Sequence, residues 1–388
     1  METRDYKIKT NFADKPNGSP SGNWVCGIDI GYSAVKVVSP NKNAIFPAFA
    51  EMDDSKTIGT PAPYSIIYKN LETGERWIVG ESALNNIKQG DTSHSDNTLY
   101  GRERYDDPMF LVLVDVALGI ACSQNQYGSY IGKKIWIETG LPSAYLEQDS
   151  PYLKNAFAGR HHFALKIGAD DPIEYDILIG KENVDVMEQP MGTLMSIAMG
   201  NNHRAIPESG FYFNRNLIIF DGGHGTLDMF IIKNNRVVDK QTFPEFAMKQ
   251  VLANVRAEIQ RNHGVEVSPI AIQKCLETGT VIKHSRFSSG HIPIKEILQR
   301  ESEKVCHAAL DRIGRMYELY EFNYFVITGG TSAAWADTIR QTLSGIEGLV
   351  VIDGNQNDKS LSFDYSNARG YYMYLYEKVS RSLKQQAQ

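Results

Sequence analysis

Leu217–Ile232 reads LIIFDGGHGTLDMFII, two apolar runs around a polar turn dense in glycine. The pattern predicts strand, tight turn, strand. Gly222, Gly223 and Gly225 allow positive φ and keep the turn clear of side chains. Successive N–H groups in such a turn can point into one hollow and cradle phosphate oxygens. Asp221 closes the first run and Asp228 opens the second. A carboxylate beside a phosphate implies a cation between them, Mg2+ held through water. An ordinary glycine hairpin carries the same signature, so the stretch needs a companion.

Trp24–Val38 (WVCGIDIGYSAVKVV) supplies one. It is again strand, Asp-x-Gly, small polar residue, strand, with Asp29 and Gly31 spaced as Asp221 and Gly223 are. Ser33 and Lys36 add a hydroxyl and a cation. A third element, Tyr324–Thr331 (YFVITGGT), is an apolar strand ending in Gly329-Gly330, followed by a helical pattern. Two similar domains with a nucleotide clamped between them account for all three.

The 388 residues can bury a large core and suggest two domains or three. Hydrophobic content of 42% and charged content of 22% are those of a soluble globular chain. A net charge of −6 argues against a strongly basic nucleic-acid surface. Cys26, Cys122, Cys275 and Cys306 are far apart and form no C-x-x-C pair, which fits a reducing cytoplasm and no metal or disulfide framework. Residues 1–23 are polar, lack the apolar core of a signal peptide and read as a flexible lead. The longest apolar run, Met109–Ala121, contains Asp115 and is too short for a bilayer, so no membrane is expected.

A first domain is expected over 24–186, with an inserted subdomain at about 44–104 whose later part, Asn86–Arg104, reads as surface loop. Pro108–Ser123 reads as a buried helix and Lys133–Thr139 as a strand entering the loop Gly140-Leu141-Pro142. A second domain follows over 187–364, with an insertion at about 245–300. Met248, Val251, Leu252, Val255 and Ile259 repeat at helical spacing, as do Val305, Ala309, Ile313 and Met316. A C-terminal helix over 365–388 returns to the first domain.

Paired Asp-x-Gly hairpins suit the triphosphate tail of ATP or GTP. Backbone N–H groups would hold the phosphates, Lys36 would offset their charge, and Asp29 and Asp221 would orient waters around Mg2+. Phosphoryl transfer asks mainly for positioning and charge stabilisation. Gln189, whose amide can accept from water and donate to an oxygen, is the candidate for orienting the attacking water. Glu188 is its rival and could act as a base. For both, a polar helix N-terminus is the plain structural alternative. His224 is expected to lend only a backbone N–H with its ring outward; the alternative is a sensor of the terminal phosphate.

The ordered set IDIGYSAVK, VMEQPMG, IIFDGGHGTLD and VITGGTSA resembles the actin-like ATPases, which share a fold with sugar kinases and heat-shock chaperones. Within them the chain looks most like the bacterial plasmid-segregation actins of the ParM type, and Ser366-Asn-Ala-Arg369-Gly370-Tyr is similar to their return to the first domain. The resemblance implies an α/β actin-like ATPase fold, two similar domains with smaller inserted subdomains flanking a nucleotide cleft. It implies Mg2+ at Asp29 and Asp221, and nucleotide contacts at Gly31, Tyr32, Ser33 and Lys36. Further contacts follow at Gly222, Gly223, His224, Gly225 and Thr226, and at Gly329, Gly330 and Thr331 beneath the adenosine. Glu303 is similar in placement to a ribose-contacting Glu. Tyr32 and His224 depart from the family, which has small or acidic residues there.

The implied function is a cytoplasmic ATPase that assembles head to tail with itself, a contact that propagates. Its filament would segregate plasmid DNA, contacting the centromere-like DNA only through a DNA-binding adaptor protein. The alternative is a small-molecule kinase or non-polymerising ATPase on the same fold. Against a kinase, Thr139-Gly140-Leu141-Pro142 offers no carboxylate base; against a chaperone, little chain follows the last helix.

Overall fold

The computed structural model describes residues 2–53, 62–90, 101–284 and 289–386. The stretch 91–100, part of the expected surface loop, lies outside them.

In the first half, chain order runs β1 (Asn11–Asp14), β2 (Asn23–Ile30), β3 (Ala34–Val38), β4 (Lys42–Pro47), β5 (Ala50–Met52), β6 (Ile66–Asn70), β7 (Arg76–Val79) and α1 (Glu81–Asn86). After these come α2 (Pro108–Ala121), β8 (Lys134–Leu141), α3 (Leu146–Phe157), β9 (Gly159–Ile167), β10 (Ile173–Ile179) and β11 (Val184–Glu188). The main sheet has the order β1-β4-β3-β2-β8-β11. Its central strand β2 is buried along its whole length, as a near-continuous apolar run covered on both faces requires. Helix α2 begins where Asp107 accepts from the Met109 N–H and Pro108 takes the first turn.

Two expectations need correction. Residues 1–23 are not a free lead: β1 pairs antiparallel with β4 from Asn11↔Ile45 to Asp14↔Lys42. Its residues are mostly exposed, so an edge strand held by backbone hydrogen bonds left no apolar signature. The smaller sheet, order β10-β9-β6-β7-β5, is likewise not contained in 44–104, because β9 and β10 complete it.

The second half contains α4 (Gln189–Ala198), α5 (Ser209–Asn214), β12 (Leu217–Gly222), β13 (Leu227–Lys233), β14 (Arg236–Phe243), α6 (Met248–His263) and α7 (Pro269–Thr278). It continues with β15 (Thr280–His284), β16 (Ser289–Pro293), α8 (Lys295–Met316), β17 (Tyr324–Thr328), α9 (Gly330–Leu343), β18 (Val350–Asp353) and α10 (Ser366–Gln386). Its sheet, β14-β13-β12-β17-β18, repeats the plan of β4-β3-β2-β8-β11. In each, an antiparallel meander is extended by two parallel strands. The five apolar residues spaced along α6 are all buried.

Helices α4 and α10 cross between the halves. A Cβ on Gly370 would stand 1.7 Å from the Gly192 carbonyl oxygen, so the crossing is a backbone contact that only glycine permits. Arg369, buried, donates to the carbonyls of Ser196 and Met199 and to Asn201 Oδ1. It thereby closes the C-terminal end of α4. This junction places the two hairpins face to face.

Candidate nucleotide cleft

The hairpins β2–β3 and β12–β13 turn in the same way. Gly31 N–H donates to the Ala34 carbonyl at 3.0 Å, and Gly223 N–H donates to the Thr226 carbonyl at 2.9 Å. Both turns open on one cavity, which Asp29 and Asp221 line together. Strand register sets the chemistry: Asp29 sits opposite Lys36, and Asp221 opposite Asp228.

Lys36 Nζ lies 3.0 Å from Asp29 Oδ2. Burial works against its ammonium, yet Asp29, Asp364 and Asp221 hold its pKa above lysine's ordinary value. Asp221 is pushed up to about 7, first by burial and then by the charges of Asp228 and Asp29, against the opposing hydrogen bond from Asn367. Asp228 is raised to about 6 by burial, although Thr226 and Thr242 hydroxyls donate to it at 2.7 and 2.6 Å. Asp29 is buried and its Oδ1 has no hydrogen-bond partner. More carboxylates than cations, with one oxygen orphaned, make a donor set that fits a hard divalent ion. Among the described residues, no group of three or more His, Cys, Asp or Glu could hold a metal by itself. An ion carried by phosphates and water needs no such group.

The cavity also takes in Gly31, Tyr32, Ser33, Gln189, Gly223, His224, Gly225, Thr226, Gly329, Gly330 and Thr331. Three residues assigned from sequence lie elsewhere. Gly222 does not line the cavity: its N–H is taken by Ser332 Oγ at 3.0 Å, and a Cβ there would stand 2.4 Å from that oxygen. Glu188 turns away to Lys240 on β14, 2.7 Å distant. Glu303 is exposed on α8, outside the lining.

The turn glycines also act differently from expectation, since none of Gly222, Gly223 and Gly225 has positive φ. Their small size matters instead: a Cβ on Gly225 would lie 2.1 Å from Tyr32 Cδ2. Tyr32 thus reaches from the first turn to the second. The Arg104 guanidinium stacks 4.2 Å from its ring centroid and donates to the carbonyls of Ile30 and Gly31 at 2.8 and 3.3 Å. His224 is corrected too. It lines the cavity, and burial, then Lys249 and Lys36, push its pKa down to about 3, so the ring is neutral.

Arg104, Asp364 and Asn367 escaped the sequence reading as site residues. Arg104 and Asp364 come from single 3-10 turns without motif spacing. Asn367 lies inside the quoted return segment, and that placement was its signal.

Residues 27–192 match a family model described as the N-terminal domain of actin-like proteins. No curated protein matches the sequence. Among solved structures, a ParM filament from Clostridium botulinum is similar at 18% identity and TM-score 0.69, over 92% of this chain and 99% of that one. A non-polymerisable ParM quadruple mutant aligns at 17% identity and TM-score 0.70, over 91% and 98%. An archaeal actin homologue in complex with ADP aligns at 16% identity and TM-score 0.59, over 92% and 99%. Duplicated sheets, facing hairpins and likeness to solved structures over more than nine-tenths of its length agree that the chain has the actin-like fold.

Proposed function

We propose that this chain is a nucleotide-dependent ATPase that assembles head to tail into filaments and moves plasmid DNA through an adaptor in the bacterial cytoplasm. The observation that carries the reading is the meeting of Asp29, Lys36 and Asp221 in one cavity. Together with Asp364, these carboxylates about one lysine suit a magnesium-bound triphosphate. Asp29 and Asp221 would hold Mg2+ through water, and the ion would supply charge neutralisation for the phosphate oxygens.

The chain's own groups do the rest. Lys36 offsets phosphate charge, and Gln189, at the first turn of α4 and in the lining, orients the attacking water. Glu188 is engaged by Lys240, which favours Gln189 for that task. Because the nucleotide would touch both hairpins, its hydrolysis would change the angle between the halves, and with it the head-to-tail contact. The filament named among the neighbours supports self-assembly, and the ADP complex supports a nucleotide ligand. Four free thiols, three of them buried, suit a reducing compartment. Among the described residues no helix is long and apolar enough to cross a membrane.

Pelleting and light scattering test the proposal. Addition of MgATP, or MgGTP in a parallel series, should produce scattering above a critical concentration, followed by phosphate release. Turnover that requires a sugar or acid co-substrate, without scattering, would instead identify a small-molecule kinase.

A further inference from the structure

One wall of the cavity comes from neither hairpin. Asp5, Tyr6, Lys7 and Ile8 line it beside the phosphate-loop residues, and they precede β1 in the chain. Thr3–Tyr6 forms a single 3-10 turn, closed by Asp5 N–H to the Glu2 carbonyl at 3.0 Å and Glu2 N–H to Asp5 Oδ2 at 2.8 Å. Thr3 is buried against the end of α7, where a Cβ on Gly279 would lie 3.1 Å from its hydroxyl. Tyr6 packs on the core cluster that contains Leu252 and Leu276, both lining the same cavity. Its hydroxyl is hydrogen-bonded to the side chain of Ser302, next to Glu303 on α8.

Lys7 joins the two halves. Its side chain is only 7% exposed, and its ammonium lies 2.6 Å from Glu81 on α1 and 2.9 Å from Glu277 on α7. Helix α1 belongs to the first half and α7 to the second. They also meet through Ala83, Leu84 and Ile87 in the core cluster of α7, and through Lys274, which donates to the Asn85 and Ile87 carbonyls. Separating them would in addition take one carboxylate off a nearly buried cation. Losing a partner in such a setting is costly. The wall formed by Tyr6, Leu252 and Leu276 is apolar and aromatic, suited to a base or ribose rather than to phosphate.

On the nucleotide reading above, on which this rests, we propose that residues 2–8 are a strap over the nucleoside end of the cleft. Tyr6 forms a wall against the nucleoside, and Lys7 latches the two halves, so bound nucleotide leaves only when the strap lifts. Neither role follows from the phosphate hairpins, which grip the other end of the ligand.

The test measures release of radiolabelled ADP, in Mg2+ with excess unlabelled ADP, from the full chain and from Lys7→Met, Glu277→Gln and Tyr6→Ala. Release should quicken about tenfold in the Lys7 and Tyr6 variants, with affinity falling through the off-rate. Pyrophosphate, which lacks a nucleoside, should bind wild type and Tyr6→Ala equally. If wild type binds ADP but the variants release it at the wild-type rate, the strap is overturned and the nucleotide reading stands. Slower release or tighter binding also overturns it, because the segment would then be a plug. A wild-type chain that binds no nucleotide removes both. Thermal unfolding is recorded alongside; should Lys7→Met fail to fold, Glu277→Gln, which leaves the Glu81 pair in place, decides.

Discussion

The Asn367 side-chain amide donates to Asp221 Oδ2 at 2.6 Å while its carbonyl accepts from the Thr193 hydroxyl at 2.8 Å. One residue of α10 therefore ties the carboxylate of the second hairpin to α4, the helix whose N-terminus carries Gln189. The amide opposes the burial and repulsion that push the Asp221 proton affinity up. The charge state of the hairpin and the packing of the two crossing helices are thereby coupled.

Replacing Asn367 with Leu removes the donor and leaves a buried acceptor unpaired. Such a loss costs about 1–3 kcal/mol, and more where the acceptor is ionised. Denaturant unfolding of Asn367→Leu should show a deficit of this order at pH 8 and a smaller one near pH 5.5. A variant as stable as wild type at both pH values contradicts the coupling.

Asp221 and Asp228 stand at about 7 and about 6, against an ordinary 3.8. Because both are raised by folding, the folded chain holds these protons more tightly than the unfolded chain. Their contribution to stability is complete below about pH 4 and is lost as pH climbs through 6 and 7. Carboxylates lowered by ion pairing, such as Glu277 and Asp358, lose their own contribution as pH falls, so the informative quantity is a difference. In chelator, the melting temperature of wild type minus that of Asp221→Asn should fall between pH 5 and pH 8. Mg2+ with nucleotide, which needs the ionised carboxylate, should restore wild type at pH 8 and not the variant. A difference that is flat with pH defeats the assignment.

What could be read from the chain alone follows from where each signal lives. The two hairpins announce themselves as near-continuous apolar runs around glycine turns, and the helices α6 and α8 because burial of one face imposes a period on apolar residues. The strand β1 does not, since Asn11–Asp14 is held by its backbone at a sheet edge. The pairing of β9 and β10 with β6 depends on contacts between distant segments, which no local pattern encodes. In the site, Asp29, Lys36 and Asp221 were legible because Asp-x-Gly turns are constrained. Arg104 and Asp364 reach the cavity from single 3-10 turns, too short to carry a periodic or motif signal. Glu303 was placed by resemblance, and it is exposed on α8 outside the cavity lining, next to the Ser302 that Tyr6 engages.

Tyr32 and Gly225 make a contact that admits no Cβ. Gly225→Ala should therefore displace the Tyr32 ring or separate the hairpins, weakening MgATP binding about tenfold as the turns lose register. Tyr32→Ala in the same chain removes the obstruction and should recover most of the loss. Calorimetry on the two single variants and the double variant gives the coupling directly. Additive losses would mean that the ring and the turn do not act on each other.

Gln189 and Glu188 are neighbours with opposite surroundings. Gln189 opens α4 in the cavity lining, behind Pro190 in the first turn, whereas the Glu188 carboxylate is held by Lys240. An amide that positions water contributes to the hydrolytic step and not to nucleotide binding. Gln189→Ala should accordingly leave MgATP-driven scattering at the wild-type critical concentration while slowing phosphate release about 100-fold. Filaments of this variant should then persist after wild-type filaments have disassembled. Glu188→Gln keeps its length and loses only the ion pair to β14, a partly exposed bond worth about 0–1 kcal/mol, so its phosphate release should match wild type. The reverse outcome, with Glu188→Gln slow and Gln189→Ala normal, would move the water-orienting role one residue back and require Lys240 to let go of Glu188 when nucleotide binds.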